Sequence, residues 1–253
     1  MQTKKEKVPT SKGIIEYSIS GKGEPNIILM NGGSGPIEGW MKIIKEISKM
    51  SAVFAYNRLG VGDSEKPKEN QDGITIIETL REALAVLNIK PPYLLVGHSL
   101  GGLYANLYAR LYPDEVYGVV FLEASHPNDM LLDEHYGKIV KSVNKMLSRF
   151  DTLSAHKKFD EIHFVKKTIQ QINEHPSFPE IPLYVITGGK ANRLIPKEAL
   201  KRRQENQLEL LTLAKTSKQI IAKNSGHFPQ LTDHKIVITT ILEAVQNYKD
   251  KLE

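Results

Sequence analysis

One run in the chain has the residue types to attack a carbonyl: Gly97-His98-Ser99-Leu100-Gly101, a G-x-S-x-G sequence. It follows the strand-like Tyr93-Leu94-Leu95-Val96 and precedes the helix-like stretch from Leu103 to Tyr112. The pattern alone is common; a strand, a sharp turn and a helix around it make it specific. Small residues at Gly97 and Gly101 let strand and helix pass closely. Such a turn pushes the Ser99 hydroxyl out above a sheet, and the following helix aims its positive N-terminal end at it. A serine hydroxyl is a poor nucleophile at neutral pH and needs a base to take its proton. Eight histidines are available for that task. Cysteine is absent, which excludes a thiol nucleophile, a disulfide framework, zinc-thiolate sites and iron–sulfur clusters. The bland alternative is a serine in a glycine-rich turn.

The elements that would hold Ser99 alternate along the chain. Strands are expected over 13–20, at the edge of a sheet, and over 26–30, 52–56, 93–96, 116–122, 181–187 and 219–222. Helices are expected over 37–47, 74–87, 100–112 and 236–248. Trp40, Ile43, Ile44 and Ile47 share one stripe, as do Val237, Ile241, Ala244, Val245 and Tyr248. Alternating strands and helices predict a parallel sheet covered on both faces. From 127 to 178 no good strand appears. Two helical stripes run there, Tyr136, Ile139, Val140, Val143, Met146, Leu147 and Phe150, then Ile162, Val165, Ile169 and Ile172. A helical insertion at this place would lie over the strand ends, where ligands bind in such sheets.

The 253 residues suit one large domain or two small ones, with 40% apolar and 25% charged residues in ordinary globular proportion. The net charge of +5 comes from scattered lysines with short clusters such as Lys201-Arg202-Arg203. Solvated helix faces explain these better than a nucleic-acid surface, and no zinc-finger spacing or RNP-like aromatic motif argues otherwise. Apolar runs such as 27–30 and 119–122 are far too short to span a bilayer. The basic N-terminal stretch has no apolar segment after it, so no signal peptide is read and a cytoplasmic location is expected.

The segment LLVGHSLGGLYANLYARLYPDEV resembles the nucleophile elbow and following helix of the α/β-hydrolase superfamily. YNRLGVGDSEKP resembles that family's loop after the fourth strand, and NSGHFPQLTDHKIV its histidine loop. The resemblance covers nearly the whole chain. It implies an α/β-hydrolase fold: a mostly parallel central sheet with helices on both faces, a core of residues 1–126 and 179–253, and a helical cap over 127–178.

The resemblance also assigns roles. His227 stands where the family places its base. Many members carry the acid in the loop that is here Gly188-Gly189-Lys190-Ala191-Asn192, which holds no carboxylate. Others carry it at the end of the preceding strand, where this chain has Glu123. An unpaired carboxylate ending an apolar strand would be costly, and pairing with His227 would explain it. Asp129 is the alternative acid, and capping the strand end is the alternative role for Glu123. The oxyanion hole implied is the backbone N–H of Leu100 with that of Gly33, Ser34 being next in line. The family often has His at the position of Asn31 and Asp at that of Asn57. Ser34, His98 and His126 are expected to line the substrate pocket, with His98 alternatively packing. His135, His156, His163, His175 and His234 are expected at the surface.

The activity implied is a serine hydrolase acting on a small-molecule carboxylic ester or related acyl compound, without metal or organic cofactor. Two competitors stand beside it. A prolyl-iminopeptidase-like aminopeptidase would use acids of the insertion, Asp129, Asp133 and Glu134, to hold a substrate ammonium. A ligand-binding protein on the same fold would need no chemistry at all. Nothing in the sequence gives an oligomeric state.

Overall fold

The computed structural model describes residues 4–131, 160–190 and 197–252. Eight strands form one sheet: β1 (Glu6–Thr10), β2 (Gly13–Ser20), β3 (Asn26–Met30), β4 (Val53–Tyr56), β5 (Tyr93–His98), β6 (Val116–Leu122), β7 (Leu183–Gly188) and β8 (Ser217–Ala222). Their order is β1-β2-β4-β3-β5-β6-β7-β8. β1 pairs antiparallel with β2, and β2 with β4; every later pairing is parallel. The expected mostly parallel sheet is therefore present. The 13–20 strand is not its edge, because the lysine-rich stretch before it folds back as β1 and pairs along its length. That edge strand carries Pro9 and charged neighbours, which hide its strand pattern and blunt the edge against further pairing.

The parallel strands are apolar on both sides because helices cover both. One face packs Ile28, Met30, Leu95, Val119 and Phe121 under α2 (Gly73–Val86) and α3 (Leu100–Leu111). The other packs Ile27, Leu29, Leu94, Val96 and Val120 under α1 (Met41–Ile47) and the long helix His234–Asp250. Asp72 caps α2 by accepting from Thr75 N–H at 3.2 Å.

Between β6 and β7 the described residues form a 3-10 turn (Pro127–Leu131), a second one (Glu161–Phe164) and α4 (Val165–Glu174). The Ile162, Val165, Ile169 and Ile172 stripe turns into the core beside Leu103 and Leu107. The stripe expected over 136–150 lies outside the described residues. Three more helices follow, α5 (Lys197–Glu209), the four-residue α6 (Pro229–Thr232) and α7, the His234–Asp250 helix above. Sequence reading missed α5 and α6. α5 has little apolar periodicity, and α6 is a single turn.

The chain leaves β3 toward β4 on one side and β5 toward β6 on the other. The carboxyl ends of β3 and β5, paired in register from Asn26 with Tyr93 to Met30 with Gly97, thus flank a point where the winding reverses. Ligand crevices form at such points. Both the Asn31–Pro36 loop and Ser99 emerge there.

Candidate active site

Ser99 sits in the turn between β5 and α3 with φ +50° and ψ −120°. A non-glycine residue in that region costs about 1–3 kcal/mol unless its surroundings enforce it. Here they do. Ser99 N–H donates to Leu122 O at 3.2 Å, and its carbonyl accepts from Gly102 and Ser125 N–H, each at 2.9 Å. The turn also needs its glycine at 101, where a Cβ would stand 2.1 Å from the Met30 carbonyl oxygen. Ser99 lies against the loop after β3, since a Cβ on Gly32 would stand 3.2 Å from its Cβ.

His227 reaches the hydroxyl from the loop between β8 and α6, with Nε2 3.1 Å from Ser99 Oγ. Its loop is anchored by buried Ser225 and by the buried His98, whose Nε2–H donates to the His227 carbonyl at 2.8 Å. His98 packs between Trp40, His227 and Phe228. Burial pushes its pKa down to about 4, so it stays neutral at neutral pH.

Glu123 follows β6 directly, is 2% exposed and has φ +47°. Its Oε1 accepts from Gly188 N–H, at the end of β7, at 2.6 Å. Its Oε2 lies 3.4 Å from His227 Nδ1 and also accepts from Arg203 of α5. The same Arg203 nitrogen stands 2.8 Å from His227 Nδ1. The two neighbours ask opposite things of Nδ1: a guanidinium can only donate to it, and a carboxylate can only accept a proton from it. Burial and then the Arg203 charge hold His227 well below the ordinary histidine value. Burial also pulls Arg203 down to about 10, which leaves it cationic at neutral pH.

The alternative acid, Asp129, is buried and accepts from His126 N–H at 2.7 Å and from Asn206, with no hydrogen bond to His227. Asn192 lies outside the described residues. His126 is buried, accepts from Asn128 N–H at 3.1 Å and faces Glu209 at 3.8 Å. α5 therefore docks by a polar stripe: Arg203 on Glu123, Asn206 on Asp129 and Gln207 on the Ala124 carbonyl. That stripe is polar up to the buried Leu210 just beyond it, so apolar periodicity gave no signal by which to find it.

Leu100 opens α3, so its N–H has no carbonyl within the helix to donate to. The Gly33 N–H also donates to no described group. Ser34 N–H is taken, by Glu161 Oε1 at 2.7 Å. Asn57 spans the loop's far side, accepting from Ile37 N–H at 2.8 Å and donating to Glu16 at 2.5 Å. The buried Asn31 leaves its amide nitrogen without a partner among the described residues. Of the remaining histidines, His163 is exposed, while His175 and His234 are half-buried rather than at the surface. His175 Nδ1 lies 2.6 Å from the Gln171 carbonyl. His135 and His156 lie outside the described residues. Among the described residues no three His, Asp or Glu side chains stand together as a metal site. No helix among them is long and apolar enough to cross a membrane.

Residues 25–159, more than half of the chain, match the alpha/beta hydrolase fold family. The chain belongs to that family. The chain is 24% identical to the uncharacterized protein YqjL of Bacillus subtilis over 88% of this chain and 85% of that one. It is 28% identical to the human (lyso)-N-acylphosphatidylethanolamine lipase over 46% of this chain and 37% of the lipase. Two further curated relatives are matched over only 34% and 42% of their length. The crystal structure of carboxylesterase CesB from Bacillus subtilis superposes with TM-score 0.69 at 17% identity, covering 97% of this chain and 92% of that one. The alpha/beta hydrolase fold of the chain is thereby shown.

Proposed function

We propose that this alpha/beta hydrolase is a serine hydrolase cleaving carboxylic esters or related acyl compounds through Ser99, His227 and Glu123. The observation that carries the reading is the alignment of the three side chains. Ser99 Oγ lies 3.1 Å from one imidazole nitrogen, and the other nitrogen lies 3.4 Å from a buried carboxylate. The carboxylesterase among similar folds and the lipase among relatives support the substrate class.

In this reading Ser99 is the nucleophile on its elbow. His227 takes the hydroxyl proton as Oγ attacks the carbonyl carbon and then gives it to the leaving alcohol. Glu123 stabilises the imidazolium and fixes its tautomer. The N–H groups of Gly33 and Leu100 hold the tetrahedral oxyanion, and water releases the acyl group by the same steps. Proton acceptance at Nε2 requires the imidazole proton on Nδ1, so Arg203 must let go of Nδ1 and leave it to Glu123. In the same reading residues 127–178, of which 132–159 lie outside the described residues, serve as the cap that selects the substrate, beside a core of 1–126 and 179–253, and Ser34 and His126 border the pocket.

Hydrolysis of short p-nitrophenyl esters, alongside fluorophosphonate labelling, tests the reading. Turnover and labelling both vanish in Ser99→Ala if it is right. A folded wild-type protein showing neither signal would instead favour a ligand-binding role.

A further inference from the structure

We infer that the buried ion pair of Arg58 and Glu161 is a positioning clamp for the oxyanion hole, joining the segment before β7 to the loop that carries Gly33. The inference rests on the proposed nucleophile role of Ser99.

Both charges are almost wholly out of water, the Arg58 side chain 3% and the Glu161 side chain 6% exposed. Arg58 leaves the loop after β4. Glu161 opens the 3-10 turn before α4, 103 residues further along. Arg58 donates to Glu161 through Nε and, at 2.9 Å, through an NH2 nitrogen. Burial alone would lower the Arg58 pKa, but the Glu161 carboxylate outweighs it and holds the guanidinium charged. Tyr104 closes the group, its ring under the guanidinium and its hydroxyl donating to Glu161 at 3.4 Å.

Apart from the Tyr104 contact, the pair's other hydrogen bonds to described residues go to one loop. Arg58 donates to Asn31 O at 2.9 Å and to Gly32 O at 2.6 Å, and Glu161 accepts from Ser34 N–H at 2.7 Å. A peptide unit is planar and trans, so its C=O and N–H point in opposite directions. Arg58 on Gly32 O therefore turns the Gly33 N–H away from itself. Glu161 fixes the next plane, the one that ends in Ser34 N–H. Both peptide planes flanking Gly33 are pinned, and with them its φ and ψ. Ser34 is held at φ +52°, and Ile162 presses on Gly33, where a Cβ would stand 2.7 Å from its Cδ1. A buried ion pair adds little net stability compared with apolar residues of similar volume. Orienting a donor for the transition state is a role that such residues would not fill. Glu161 lies within the proposed cap, so its seating and the oxyanion hole are set together.

The test compares wild type with Glu161→Gln and with the double variant Arg58→Met and Glu161→Leu, which leaves no unpaired buried charge. The readouts are turnover of p-nitrophenyl acetate, inhibition by butylboronic acid as a tetrahedral analogue, and hydrogen exchange of the 31–36 segment. A clamp predicts kcat lower by roughly 10–100-fold with KM nearly unchanged. It also predicts boronate affinity weaker by a similar factor and faster exchange in 31–36. A lower melting temperature with kcat, boronate affinity and exchange unchanged would reduce the pair to a structural contact and overturn the inference. So would a loss of kcat with boronate affinity intact. A wild-type protein with neither turnover nor Ser99 labelling would remove the hydrolase reading, and the clamp's role with it.

Discussion

Two residues that meet at the site, Ser99 and Glu123, have positive φ, at +50° and +47°. Each is held there by backbone bonds to a neighbouring strand, Ser99 N–H to Leu122 O and Glu123 N–H to Ile186 O. On the proposed mechanism Glu123→Gln should keep the fold and lower kcat by roughly 10²–10⁴-fold, since His227 then loses its counter-charge. Ester turnover beside circular dichroism checks this, and near-wild-type turnover would remove Glu123 from the triad. Burial and Arg203 both push the His227 pKa down, so on the proposed mechanism activity should persist below the ordinary histidine range before His227 protonates. Arg203→Met removes one of those two causes. The acid limb of kcat/KM should then move to higher pH, and a limb that stays put would show that Arg203 does not act on the base. Ser99 was legible because its signal is local, five residues in a strand-to-helix setting. Arg203 and Arg58 were not, because a sequence shows a cation as a surface residue until a distant carboxylate is known to meet it. Glu161 has no local signature at all.

At the scale of elements, the strands were legible from apolar runs and the helices from their stripes. β1 and α5 were not, because neither has a run or a strong stripe: β1 is polar and charged, and α5 docks by hydrogen bonds. The contact of α3 with β3 depends on a missing side chain. Gly101→Ala would place a methyl group 2.1 Å from the Met30 carbonyl oxygen and 2.5 Å from that of Asn31, both backbone atoms that cannot swing aside. We expect a loss on the order of 3 kcal/mol, read by denaturant unfolding. Gly39→Ala, whose Cβ would meet only Asn31 Oδ1 at 3.5 Å, should be nearly neutral in the same assay.

For the whole molecule, buried neutral histidines tie stability to pH. His98 is 4% exposed with a folded pKa of about 4, below the ordinary 6.5 it regains on unfolding. The unfolded chain therefore binds its proton first, and stability is full above pH 6.5 and falls as pH drops toward 4. The loss from this residue is on the order of 3 kcal/mol. Melting temperatures of wild type and His98→Gln between pH 8 and 4 should show a shallower acid decline in the variant. Equal slopes would place the acid sensitivity elsewhere. The sheet has a second consequence, for where an acid can stand. Glu123 is rooted after β6, yet its carboxylate rests on the first free N–H at the end of β7. The two strand ends thus address one point, and an acid grown from either meets the same imidazole. A carboxylate moved from the end of β6 to the end of β7 would start beside that same imidazole, with Ser99 and His227 unmoved.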